Sequence, residues 1–325
     1  MIRVLARKSS PAVGLGCMGL SEFYSKVSKE DALNLLNSAL DIGYRHFDTA
    51  DMYGLGSNEQ CIGEFLSRNP TLRSELIINT KVGIVRNSNE KFNISLNGTA
   101  SYIHACCDAS LQRLNTDYID IYYLHRFDPR VDPEESLSAL AELVKAGKIR
   151  GIGVCEITPE LLTKAHDIHP ISAVQSEYSL WCRDVEASIL PLCKHLNIDF
   201  VAFSPLGRGF LAGAMANDDS QFSHNPSDLR NYIPRFNQQN LALNRPLFEG
   251  LSAIATELDI SVEALSLAWL LSKYDRLHVI PGSSKDSHIR SNFNAAKRQI
   301  TPDVMQRLET TFTHEAIHGS RLPQK

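Results

Sequence analysis

A chain of 325 residues, 43% hydrophobic and 22% charged, has enough apolar material for a large core, which excludes disorder as a description of the whole. Its net charge of −4 offers no basic surface for nucleic acid or an acidic membrane, and no run reaches the roughly 20 apolar residues of a membrane span. The expected partner is a small molecule, and the length admits one α/β barrel as a single domain over residues 1–325.

From the start, PAVGLGCMG holds a literal GxGxxG at Gly14, Gly16 and Gly19. A dinucleotide fingerprint of that type opens directly into a helix, whereas here SEFYSKVS intervenes. The expectation is a short first strand, Val13–Cys17, whose glycines let something approach the backbone closely.

Ser28 with Asp31 starts the first helix, Ala32, Leu35, Leu36, Ala39 and Leu40 form its apolar face, and Gly43 stops it. A strand over Tyr44–Thr49 then runs into a turn ending at Gly54, which places Asp48 and Tyr53 where a strand opens into a loop. Ser57 with Gln60 suggests the next capping box, with Ile62, Phe65 and Leu66 inward, and LIINTKV (Leu76–Val82) is the third strand. A polar loop from Arg86 to Asn97 precedes a helix after Thr99 that buries Ile103, Cys107, Leu111 and Leu114, then the strand Tyr118–His125. Asp132-Pro133 opens a helix, with Glu135 closing its capping box and Gly147 ending it. IRGIGVC, ISAVQSE, DFVAFSP and LHVIP (Leu277–Pro281) are further strands, with helices after Thr158-Pro159 and around Ile189–Leu196 between them.

Eight short apolar strands alternating with amphipathic helices, without antiparallel hairpin signals, predict a parallel (β/α)8 barrel; a doubly wound open sheet is the competitor. The barrel explains why Asp48, Lys81, His125, Gln175 and Ser204 all fall at C-terminal strand ends, since those ends share one face. The long insertion Gly207–Arg245 belongs to the same face, where loops of that length serve as lids or binding loops. Separately, Lys81 reads as a snorkelling lysine and His125 as a satisfied polar group. Together, an aspartate, a tyrosine, a lysine and a histidine converging on one mouth are a reactive set.

FDTADMYG, the strand-ending Lys81, LH at His125, IGVCE, AVQSEYSLW, AFSPLGRGFL and IPGSSK, in that order, resemble the aldo-keto reductase superfamily over roughly Val13 to Ile300. The resemblance implies an eight-stranded barrel with an extended nicotinamide cofactor, usually NADPH, across its C-terminal face. It implies a tetrad of Asp48, Tyr53, Lys81 and His125. In that tetrad Lys81 lowers the phenol's pKa, Tyr53 acts as the general acid, and His125 fixes a substrate carbonyl.

Carried over by the same resemblance, Gln175 and Cys155 meet the carboxamide, with Asp48 close by, and Phe203 stacks on the nicotinamide. The turn Ser204, Pro205, Leu206, Gly207 and Arg208 takes the pyrophosphate. Gly16, Cys17 and Met18 line the ribose side, and Gly282, Ser283, Ser284 and Lys285, with His288 and Asn292, take the adenosine end. Cys155 and Phe203 replace a frequent serine and tyrosine, while Gly282 and His288 replace a frequent lysine and arginine. Ser283, Ser284 and Lys285 therefore remain as the obvious 2′-phosphate donors, at a helix start whose amides suit an anion. His288 adds charge only when protonated.

Reduction of an aldehyde or ketone is the function expected from this set. The alternatives are a preferentially oxidising dehydrogenase of a sugar or pyridoxine-like alcohol, and a non-catalytic NADPH-binding regulatory subunit. Candidate substrate contacts are Trp181, Phe210, Phe222 and the tail beyond Thr313. HEAIH (His314–His318) matches the zinc-protease HExxH but lies in the last residues without a third ligand, so no metal is expected. His166 and His169 read as a solvated helix face. The seven cysteines are odd in number and mostly single, which suggests reduced thiols and a cytoplasmic protein. Oligomeric state has no sequence signal.

Overall fold

The computed structural model describes residues 5, 12–24, 27–86, 93–215, 225–295 and 297–322. Eight parallel strands form one sheet: β1 (Leu15–Gly16), β2 (His46–Asp48), β3 (Ile77–Val82), β6 (Ile119–Leu124), β7 (Ile149–Cys155), β8 (Ile171–Glu177), β9 (Asp199–Phe203) and β10 (Leu277–Val279). The sheet closes where Val13 bridges Val279 in parallel and Gly14 N donates to Val279 O at 2.8 Å. This is the predicted parallel barrel, and the open-sheet alternative falls with the closure.

The glycines of the first strand serve that seam. A Cβ on Gly16 would sit 2.6 Å from the Ile280 carbonyl oxygen, and one on Gly14 would sit 2.5 Å from the His46 ring. What approaches the backbone there is the protein itself, Gly16 meeting the chain just after β10 across the seam and Gly14 meeting the neighbouring strand β2.

Around the sheet lie α1 (Lys29–Ile42), α2 (Ser57–Arg68), α3 (Ala100–Leu114), α4 (Pro133–Lys145), α5 (Pro159–Ile168), α6 (Ile189–Leu196), α7 (Gln238–Glu257), α8 (Val262–Leu271), α9 (Asp286–Ala295) and α10 (Pro302–Thr311). Ser28 caps α1 by accepting from Asp31 N, and Gly43 ends it at φ 118°, as the sequence suggested. Their apolar faces pack on the outward side of the strands in one continuous core, which includes Leu36, Phe65, Ile103, Leu140 and Leu162.

Three local expectations are corrected. Ser57 does not cap α2: Gly56, left-handed at φ 89°, precedes the helix, and Ser57 is already its first residue. Glu135 does not close a capping box on α4, because its carboxylate accepts from Ala100 N at 3.0 Å, at the start of α3. The Thr99 hydroxyl is turned to Asn97 Oδ1 (2.8 Å), which leaves that first amide of α3 to Glu135. Finally, the segment from Arg86 to Asn97 is not all loop. Ile84–Arg86 (β4) and Ile94–Leu96 (β5) pair antiparallel outside the barrel sheet.

The described residues of the insertion after β9 hold 3-10 turns at Gly207–Ala212, Leu229–Tyr232 and Pro234–Phe236 before α7 begins at Gln238. Leu5, fully buried, packs inside the barrel with Ile77, Ile121, Tyr123 and Val201. Among the described residues no helix is long and apolar enough to cross a membrane.

Candidate active site

Parallel pairing brings the polar strand ends together. Lys81 on β3 is in register with Tyr123 on β6, which is in register with Gly153 on β7, and Cys155 is in register with Gln175. A Cβ on Gly153 would lie 2.2 Å from the Tyr123 ring, so only glycine leaves Tyr123 room inside the barrel.

At the mouth, the fully buried Lys81 ammonium pairs with Asp48 Oδ1 and donates to Thr49 O at 2.7 Å. The second Asp48 oxygen accepts from Gln175 Nε2 at 2.9 Å. The Lys81 ammonium also lies 5.1 Å from the Tyr53 ring centroid, and the Tyr53 and His125 rings meet edge to face at 6.1 Å. The structure therefore brings Asp48, Tyr53, Lys81 and His125 into one cluster, from residues up to 77 positions apart (125 − 48).

Electrostatics set the protonation states. Burial by itself would lower the Lys81 pKa, yet the Asp48 carboxylate beside it turns the net shift upward, so Lys81 stays charged. His125 is held well below the usual histidine range, first by burial and then by Lys81 and Arg126. It is thus a neutral imidazole, and its Nδ1 is buried without a partner among the described residues. For Tyr53 the expected net lowering is corrected: burial pushes the phenol up and outweighs the downward pull of Lys81. The free phenol keeps its proton.

The turn carrying Tyr53 is pinned by residues with no local sequence signal. Glu22 Oε1 accepts from Gly54 N at 2.7 Å, and Arg86 clamps Glu22 while donating to Met52 O at 3.1 Å. Asn58 joins the Thr49 hydroxyl (2.6 Å) to Cys17 O (2.8 Å). Apart from Thr49 and Asn58, nine residues apart, these partners lie 32 to 64 residues from one another in the chain and meet through the packing of neighbouring elements.

The remaining predicted residues spread along one line of strand ends. Cys155 is buried, Phe203 packs partly buried against the cluster inside the barrel, and Gln175 is tied to Asp48 rather than free. Ser204 (φ 49°), Gly207 (φ 55°) and Arg208 (φ 54°) make the turn after β9 left-handed at three positions, with Pro205 buried and Leu206 half-buried within it. Successive backbone dipoles in such turns suit an anion. Arg208 reaches Tyr24 Oη at 3.4 Å.

At the barrel seam, Gly16 and Met18 are half-buried while Cys17 is fully buried, its thiol directed to Leu15 O. Gly282, Ser284, Lys285 and His288 are exposed around the start of α9, Ser283 Oγ accepts from Lys285 N at 3.1 Å, and Asn292 is buried on the same helix.

Of the proposed substrate contacts, Trp181 is only 1% exposed and stacks on Phe210 at 3.9 Å, and Trp181 also lines a small pocket with Glu177, Arg208 and Arg321. Phe222 lies outside the described residues. The tail does reach the mouth: Arg321 pairs with Glu156 (2.6 Å) and Glu177 (3.3 Å), at the ends of β7 and β8. His314 opens a 3-10 turn, and no group of three metal-ligating side chains occurs among the described residues. His166 is not simply solvated, since its Nδ1 accepts from Ile171 N at 3.2 Å.

Comparison with known proteins places these features in a context. A model of the Aldo/keto reductase family matches residues 12–311. Over 324 residues the chain is 36% identical to the Schizosaccharomyces pombe protein named Aldo-keto reductase yakc, NADP(+), covering 99% of this chain and 94% of that one. A Glycine max protein named Probable aldo-keto reductase 1 is 38% identical, over 95% of this chain and 87% of its own. Among solved structures, glycerol dehydrogenase AKR11B4 from Gluconobacter oxydans superposes with a TM-score of 0.83 at 25% identity, over 92% and 90% of the two chains.

Proposed function

The chain belongs to the aldo/keto reductase family and is an NADP-dependent oxidoreductase; from that premise we propose that it reduces aldehydes or ketones to alcohols, with Tyr53 as the general acid. The observation that carries this reading is the buried, protonated Tyr53 phenol held beside a charged Lys81 and a neutral His125.

The residues along the strand ends fit an extended dinucleotide. The left-handed turn Ser204–Arg208 suits its pyrophosphate, the partly buried Phe203 ring its nicotinamide face, and Lys285 with Ser283 and Ser284 an exposed phosphate. Gln175, already oriented by Asp48, offers its amide group to the carboxamide. Cys155, Gly16, Met18, Gly282, His288 and Asn292 complete the same line, with Cys17 acting from behind as packing.

When bound, NADPH supplies the hydride that the carbonyl carbon accepts. Tyr53 gives its proton to the carbonyl oxygen as negative charge develops there. The Lys81 ammonium stabilises the phenolate this leaves, and Asp48 holds Lys81 in position. His125, being neutral, offers an N–H that orients the carbonyl oxygen and does not compete as an acid. In the oxidising direction the same phenolate would serve as the base.

The test is Tyr53→Phe, followed by absorbance of NADPH with a panel of aldehydes. Turnover should drop by at least about 100-fold, the scale of lost acid catalysis, while cofactor binding measured by protein fluorescence stays near that of the parent. Retention of most of the activity would remove Tyr53 from the mechanism.

A further inference from the structure

Behind the Tyr53 turn, on the outward side of the barrel wall, lies a second polar cluster that the tetrad does not use. Asp51 sits between Asp48 and Tyr53 in the chain. Its backbone N–H donates to Lys81 O at 3.3 Å, while Tyr53 N donates to Ala50 O at 3.1 Å, so Asp51 is an internal member of the turn. Its Oδ1 is sealed from solvent without a hydrogen-bond partner among the described residues, and so is the hydroxyl of Tyr122 on β6.

Among the described residues, the cations Arg113, Arg86 and Lys81 are each matched with another acid. Arg113 on α3 pairs with Glu59 at 2.6 Å, whose other oxygen accepts from the Thr80 hydroxyl at 2.6 Å. Arg86 on β4 pairs with Glu22, and Lys81 on β3 with Asp48. The other groups within reach of the Asp51 carboxyl are the phenols of Tyr102 on α3 and Tyr122 on β6, the Cys106 thiol on α3 and the backbone N–H of Met52, which donates to the carboxyl. A carboxylate here would be a buried charge without a counter-ion, facing Glu59; a carboxylic acid would be a neutral polar group among polar groups.

We propose that Asp51 is a positioning residue for Tyr53: its carboxyl sits behind the turn as the neutral acid, and that proton keeps the turn in the shape that presents the phenol to the mouth. The inference rests on the role given to Tyr53 above. Burial, reinforced by Glu59, pushes the Asp51 carboxyl up to about 8. The unfolded carboxyl loses its proton near pH 4, so the folded state binds the extra proton between those limits. The stability that this proton represents is present at low pH and is lost as pH rises through about 8. Above that, the charge that appears pushes against Glu59 and loosens the turn.

Asp51→Asn, nearly isosteric and always neutral, tests this, with Asp51→Ser as a smaller neutral replacement should the first fold poorly. Melting temperatures of parent and variant are compared from pH 5 to 9.5, and the turnover number is measured over the same range with NADPH and one aldehyde. The gap in melting temperature, variant minus parent, should rise with pH and level off beyond about 8, and the parent's fall in turnover near pH 8 should move to higher pH in the variant. A gap independent of pH would show that Asp51 is ionised throughout and overturn the proposal. A gap that rises while the turnover profile stays unmoved would make Asp51 structural only, and overturn its link to Tyr53. The melting comparison is independent of the catalytic reading, so an active Tyr53→Phe protein would sink the tetrad assignment without altering the expected melting curves.

Discussion

Replacing Lys81 with Met separates the structural part of the tetrad from its chemistry. Lys81 is fully buried, pairs with Asp48 and donates to the Thr49 carbonyl. Methionine keeps most of the volume but leaves Asp48 with Gln175 as its remaining partner among those bonds. Breaking a buried pair by removing one member costs about 3–5 kcal/mol. At roughly 2.1 cal/mol/K per residue, a chain of this length has an unfolding entropy of about 0.7 kcal/mol/K, so the melting temperature should drop by about 4–7 °C.

The pH dependence of that loss has a definite sign. The folded-state pKa of Lys81 is raised, so the pair's contribution is complete below the unfolded lysine value and is lost only as pH climbs through the folded one. The deficit should therefore be flat from pH 6 to 9 when melting is followed by circular dichroism. Lys81→Met combined with Asp48→Asn should recover part of the loss, since no charge then remains unpaired. A deficit under about 1 kcal/mol, or a double variant no better than the single, would refute the idea that this pair is a buried, mutually dependent one.

Gly153→Ala forces a methyl to within 2.2 Å of the Tyr123 ring, beyond the overpacking that costs about 1–3 kcal/mol; the melting temperature should fall sharply, and Tyr123→Leu in the same chain should restore most of it. Lys285→Ala should weaken NADPH binding by about 1–3 kcal/mol, the scale of a hydrogen bond to a charged group, and leave NADH nearly untouched in a fluorescence titration; equal losses would misplace the 2′-phosphate. Glu135→Ala removes the acceptor at the start of α3 and should cost about 0.5–2 kcal/mol, as loss of a cap does, without altering turnover.

By itself the sequence determined the alternation of strands and helices, because side-chain periodicity and caps such as Ser28, Asp132 and Thr158 are written within a few residues of where they act. It also placed Asp48, Lys81, His125 and Gln175 at strand ends, and parallel pairing in a barrel is enough to put those ends on one face. Motif order carried the family, since spacing between strand-end residues is fixed by the fold that presents them.

What the tertiary structure alone decided are relations between elements far apart in the chain. Gln175 reaches Asp48 across 127 positions, Arg86 reaches Glu22 across 64, and Glu135 caps a helix 35 positions upstream of itself. No local pattern encodes such partners, because each depends on how elements distant in the chain pack against one another. Likewise a capping pattern at Ser57 yielded to a left-handed Gly56, and Ile84–Arg86 pairs antiparallel with Ile94–Leu96 where the sequence suggested a loop. The Tyr53 phenol is the sharpest instance. Its neighbour Lys81 was legible from strand order, but the direction of its pKa depends on how completely the surrounding chain shields it from water, and desolvation belongs to the packed structure rather than to any residue in it.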